Sequence, residues 1–166
     1  GSFLIKGPRV VWPESMKPGA LTVMRTADAR TGRVIATPAA LRGVRGGLVP
    51  VTDGEAIVYA SDGWMSLWWA PSLEVAPRRV FTASGGDHVE NWVHLAGHYV
   101  SFTIWRKAYL VDTSSGRYVQ ISSGGETVLG TKSLALMRPA KTKSMHPHNE
   151  IVLLPLRSLP PIPPCR

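Results

Sequence analysis

The stretch Trp92-Val93-His94-Leu95-Ala96-Gly97-His98-Tyr99-Val100-Ser101-Phe102 decides how this chain is read. Apolar residues lead up to Gly97, and beyond it Val100 and Phe102 stand three and five positions on. Being two residues apart, they project to one face of an extended strand. Glycine reaches positive φ without a steric penalty, so it can close a tight turn between the two runs. The stretch predicts a strand, a turn and a second strand.

The same spacing recurs along the chain. Phe3-Leu4-Ile5-Lys6-Gly7-Pro8-Arg9-Val10-Val11-Trp12 carries Gly7, Val10 and Trp12 at these offsets. Pro50-Val51-Thr52-Asp53-Gly54-Glu55-Ala56-Ile57-Val58-Tyr59 carries Gly54, Ile57 and Tyr59. In Val128-Leu129-Gly130-Thr131-Lys132-Ser133-Leu134-Ala135-Leu136, Thr131 replaces the glycine and Leu134 and Leu136 keep the offsets. Four imperfect units of roughly 40 residues result.

A second recurrence supports the first. Asp28-Ala29-Arg30-Thr31-Gly32-Arg33-Val34 matches Asp112-Thr113-Ser114-Ser115-Gly116-Arg117-Tyr118, and each follows an apolar strand. The Asp side chain can accept backbone N–H groups while Gly supplies the left-handed position, which predicts a hairpin. The second and fourth units lack it, having Ala70 to Glu74 and Pro155 to Ser158 instead. Short strands rich in β-branched and aromatic residues follow, at residues 33–37, 79–82 and 118–122.

The Gly-x-x-[Val/Ile]-x-aromatic strand followed by the Asp-x-x-Thr-Gly-Arg hairpin resembles the blades of secreted bacterial proteins related to WD-repeat propellers. The His and Trp-Asp markers of true WD repeats are absent. The repeat predicts an all-β, β-propeller-like domain over residues 3–159, with about four blades of antiparallel sheet at 8–49, 50–91, 92–127 and 128–159. Residues 3–6 are expected to complete the last blade, and 160–166 form a Pro-rich tail. A small ring, a pair of chains self-associating to complete a propeller, and part of a longer propeller all fit, with a β-sandwich as the alternative fold. The resemblance implies an extracytoplasmic or secreted location.

Composition narrows the function classes. Of 166 residues 44% are hydrophobic and 18% charged, which suits a folded domain. Sixteen Gly and fourteen Pro leave little room for long helices. No apolar run reaches the length of a membrane span. Gly1-Ser2 reads as the scar of a removed tag, so the start of the chain says nothing about compartment. A single cysteine, Cys165, rules out an intrachain disulfide. The net charge of +8 favours anionic partners. Its cations are scattered in pairs such as Arg106 and Lys107, which speaks against nucleic acid.

Few residues suggest chemistry. On a strand, Trp64 and Trp68 would share a face and offer a stacking platform for a sugar or base; buried aromatic packing between blades is the favoured reading of the pair. Arg106 and Lys107 add charge to such a binding surface. His146, His148 and Glu150 would share a strand face and suit zinc or copper, although Pro147 and the neighbouring lysines read as a surface loop. Ser84-Gly85-Gly86-Asp87-His88 holds residue types used in hydrolysis without a nucleophile elbow. No motif names a catalytic residue or a cofactor. The leading expectation is a non-catalytic binding or scaffold module for a protein or saccharide partner. The alternatives are an extracytoplasmic hydrolase or lyase using Asp87 and His88, and a basic surface for an acidic polymer.

Overall fold

The computed structural model describes residues 3–15, 22–44, 50–61, 63–90, 93–122, 126–139, 149–159 and 162. The chain divides into two compact units, Gly1–His88 and Val89–Arg166. The first unit holds two antiparallel four-stranded sheets in simple sequential order. One sheet comprises β1 (Leu4–Lys6), β2 (Arg9–Ser15), β3 (Thr22–Asp28) and β4 (Val34–Ile35). The other comprises β5 (Val51–Thr52), β6 (Ile57–Ser61), β7 (Ser66–Ala70) and β8 (Arg78–Thr82). In the second unit, β9 (His94–Ala96), β10 (Tyr99–Ile104), β11 (Lys107–Asp112) and β12 (Arg117–Ser122) form the third sheet. The fourth has three strands, β13 (Thr127–Leu129), β14 (Ser133–Pro139) and β15 (Asn149–Pro155). Among the described residues the helices are two short 3₁₀ turns, Ala39–Leu41 and Leu156–Ser158. A β-sandwich would gather its strands into two sheets; the described residues form four.

The repeat is borne out position by position. Val10 pairs with Ile5, Ile57 with Thr52, Val100 with Leu95, and Leu134 with Leu129. Each marker residue thus lies on the second strand of its sheet, opposite the strand that precedes the turn. Gly7 and Gly97 open two-residue turns at φ +57° and +59°. The Asp hairpins form as their sequence predicts. Asp28 Oδ1 accepts the N–H groups of Arg30 at 2.8 Å and Thr31 at 3.0 Å, with Gly32 at φ +67°. Asp112 Oδ1 accepts the Ser114 N–H at 2.9 Å, its Oδ2 accepts the Ser115 hydroxyl at 2.7 Å, and Gly116 sits at φ +70°.

One boundary needs correcting. Residues 3–6 do not complete the fourth unit: Leu4–Lys6 is hydrogen-bonded to β2 in the first sheet. The two-residue turn at Gly7 and Pro8 ties the strands together locally, and such closure is entropically cheaper than a long-range return. Ile162 is buried in the second unit's core, and its carbonyl accepts Arg117 Nη1 at 3.3 Å.

A lone sheet of three or four short strands has one face too many, and packing against a neighbour stabilises it. In the first unit Leu4, Val11 and Met24 of the first sheet meet Ile57, Tyr59, Trp68 and Ala70 of the second, with Leu41 and Leu73 closing the side. In the second unit Ala96, Tyr99, Leu110 and Val119 of the third sheet meet Leu129, Leu134 and Leu154 of the fourth. Burying each large aliphatic chain is worth roughly 1.5–3 kcal/mol. Several such residues per interface outweigh any single hydrogen bond at about 0.5–1.5 kcal/mol. An Arg9–Glu74 ion pair joins the first sheet to the loop after β7, but the Glu74 carboxylate is exposed and the pair adds little.

Candidate functional site

The hairpin between β10 and β11 stands out on backbone conformation. Ile104 pairs with Lys107, so the turn consists of Trp105 and Arg106 alone. Both lie in the left-handed region, at φ +47° and +64°. A two-residue turn with both φ values positive is relaxed for Asn-Gly and strained for bulky side chains. Trp105 is 63% exposed, and Arg106 and Lys107 are exposed beside it. Beneath the tip, Val100, Phe102 and Ile104 are buried, and the Phe102 ring stacks on Tyr109 at 5.4 Å with 12° between planes. An exposed aromatic and two cations are therefore carried on a rigid base.

The second sheet shows the same feature at the corresponding hairpin. Between β6 and β7, Gly63 and Trp64 have φ +68° and +74°. The expected strand face shared by Trp64 and Trp68 is not what forms. Trp64 sits in the turn, half-buried, while Trp68 lies in β7 and packs into the first unit's core with its Nε1 buried and unpartnered. Trp69 points to the opposite face, where the Arg78 guanidinium stands 5.1 Å from the ring centroid. Of the four predicted binding residues, Trp64 is at one hairpin tip, Arg106 and Lys107 are at another, and Trp68 is a packing residue. The sequence missed Trp105, since alternation patterns carry no sign of a tryptophan forced to positive φ.

His146 and His148 lie outside the described residues, while Glu150 is on β15, opposite Arg138 in register. Among the described residues no three His, Cys, Asp or Glu side chains gather as a metal site would require. Asp87 and His88 occupy the loop after β8, where the Asp87 N–H donates to the Ser84 carbonyl at 3.2 Å. Two bases have shifted titration. Burial holds the Lys6 ammonium below its ordinary value, a trend partly opposed by Asp53, Glu74 and Glu55. Burial likewise lowers His94, which stands opposite Ser101 on the neighbouring strand. The tips of both, Nζ and Nε2, are shielded from solvent and unpartnered, so neither is placed to meet a substrate.

No protein-family model and no curated protein matches the sequence. Among solved structures, the chain is similar to the β-propeller domain of the Trilobed protease from Pyrococcus furiosus, which has an open velcro topology. The TM-score is 0.59 at 11% identity, over 93% of this chain. The fold is propeller-like. The match spans 53% of the other chain, so this chain covers about half that length.

In propeller terms each sheet is a blade, and the hairpin joining its second and third strands is the same structural point in every blade. Trp64 marks that point in the second blade, and Trp105 with Arg106 in the third. In the first and fourth blades it falls at 16–21 and 140–148, outside the described residues. A separate groove of about 420 Å³ runs beside the third strand of the first blade, lined by Met24, Arg25, Thr37, Leu41 and Arg42 among others. Its apolar floor belongs to the core between the first two blades.

Proposed function

We propose that the chain is a non-catalytic binding module that presents its second-to-third-strand hairpins to a saccharide or protein partner bearing negative charge, outside the cytoplasm. The observation that carries this reading is the tip of the third blade. Trp105 and Arg106 hold left-handed conformations that glycine or asparagine would adopt at lower cost. Strain of this kind is retained where the side chains are used. An exposed indole supplies a flat apolar face for a sugar ring or a side chain, and adjacent guanidinium and ammonium groups select for acids. The overall charge of +8 steers such partners toward the protein.

The test replaces the tip by a relaxed turn, Trp105→Asn with Arg106→Gly. Binding to acidic and neutral glycan arrays and capture of proteins from culture medium are compared with the unchanged chain. The reading expects a loss of roughly tenfold or more in affinity for whatever is bound, with the fold intact by circular dichroism. Indistinguishable binding profiles contradict it.

A further inference from the structure

The sheet-to-sheet contact within each unit uses the same pair of surfaces. In the first unit, the first sheet contributes the face opposite its marker residues (Leu4, Val11, Met24), and the second contributes its marker face (Ile57, Tyr59). In the second unit, the third sheet offers the face opposite its markers (Ala96, Tyr99, Leu110), and the fourth its marker face (Leu129, Leu134). A later sheet's marker face always covers an earlier sheet's opposite face.

Two faces of these kinds are left uncovered. On the first sheet the marker face exposes Phe3 at 62%, Ile5 at 59% and Val34 at 66%, around half-buried Val10 and Trp12. Register puts Ile5, Val10, Ala27 and Val34 side by side on it. Its charged residues, Glu14 and Arg25, neutralise each other at 2.6 Å. On the fourth sheet the opposite face exposes Val128 at 56%, Ile151 at 70% and Leu153 at 66%, around Ala135 and Met137. Its described side chains carry no charge. Contiguous apolar faces of this kind mark an interaction surface.

We infer that the occupant is a second copy of this chain: the marker face of the first sheet docks on the opposite face of the fourth sheet of another copy, and the converse contact forms at the same time. One chain carries both complementary surfaces, so two chains related by a two-fold satisfy all four faces at once. The new contact continues the type that joins the two sheets within each unit. Each copy brings four sheets, and two copies make eight, the upper end of the usual range of about four to eight blades. Three copies would exceed it.

The experiment is light scattering on the purified chain across roughly 1–100 µM, the range in which modest self-affinities show. The expected mass is twice 18.0 kDa. Ile151→Asp with Leu153→Asp should give a monomer, and so should Ile5→Asp with Val34→Asp. Mixing the two variants should restore a heterodimer, since one undamaged contact can still form between them. A monomeric wild-type chain over the whole range overturns the inference, as does a dimer that survives both double substitutions. Should either variant misfold, the wild-type mass decides alone. The proposed binding role rests on the Trp105–Arg106 turn of the third sheet, which contributes no residue to either face, so failure here leaves that role standing.

Discussion

Ile5 and Leu129 occupy the same position in their sheets, each paired across the first turn with a marker residue, Val10 or Leu134, yet Ile5 is 59% exposed and Leu129 only 7%. The difference lies outside the sheets themselves. Leu129 has the third sheet against it, and the equivalent face of the first sheet has no sheet before it within its unit. Position in a repeat sets which way a side chain points; burial depends on whether a neighbouring sheet covers that face.

The marker positions with a covering sheet should dominate stability. Ile57→Ala and Leu134→Ala, both fully buried, are expected to cost roughly 2–5 kcal/mol each. Val75→Ala, in a loop and 45% exposed, should stay within about 0.5 kcal/mol. Urea titration of the three variants checks the contrast, and equal effects would deny that these strands form the core.

The Asp-turn glycines are needed for conformation and not for space. A Cβ added at Gly32 or Gly116 meets nothing within 4 Å, so the cost of Ala there is the left-handed backbone alone, about 1–2 kcal/mol. Asn tolerates that region better and should recover part of the loss. Thermal melts of Gly116→Ala and Gly116→Asn measure the two effects, and an Ala variant as stable as wild type contradicts the turn geometry.

His94 predicts a sign for the response to pH. Burial holds its folded value below the ordinary 6.5, so the unfolded chain takes up a proton first as pH falls. Its contribution to stability is complete above about 6.5 and is lost as pH drops from there toward the folded value. Replacement by Leu should flatten the dependence of stability on pH in the window just below 6.5. Asp112 acts lower on the scale: burial opposes its ionisation, but hydrogen bonds from Ser114 and Ser115 outweigh it and keep its value depressed. That contribution disappears only as pH falls below the ordinary carboxylate value of 3.8. A His94→Leu variant with the wild-type slope across the upper window would contradict the burial argument.

Relaxing the strained tip should raise stability while lowering binding. Trp105→Asn with Arg106→Gly installs the sequence that a two-residue turn of this kind prefers, and a gain of about 1–2 kcal/mol is expected. Chemical denaturation measures the gain. A loss of stability would mean that Trp105 is held by packing and not against strain.

Much of this fold was legible because turn chemistry is local. Glycine at Gly7 and Gly97, and the carboxylates of Asp28 and Asp112, act within a few residues, so spacing alone placed the strands that flank these turns. The strand at Leu4–Lys6 was misassigned because pairing partners depend on closure, which local sequence encodes only through the turn at Gly7 and Pro8. The candidate site was half legible. Arg106 and Lys107 stood out by charge, but the strand pattern put Trp64 and Trp68 on one face when a turn at Gly63 separates them. Trp105 was invisible, since nothing in composition reports that its backbone is forced to positive φ.

Amide hydrogen exchange tests the repeat most directly, because β2, β6, β10 and β14 are each flanked on both sides by hydrogen-bonded strands. Val10, Ile57, Val100 and Leu134 should all lie in slowly exchanging segments, with the edge strand Val34–Ile35 exchanging far faster. Rapid exchange across any one of the four marker segments, or a helical pattern of protection there, would contradict four equivalent sheets.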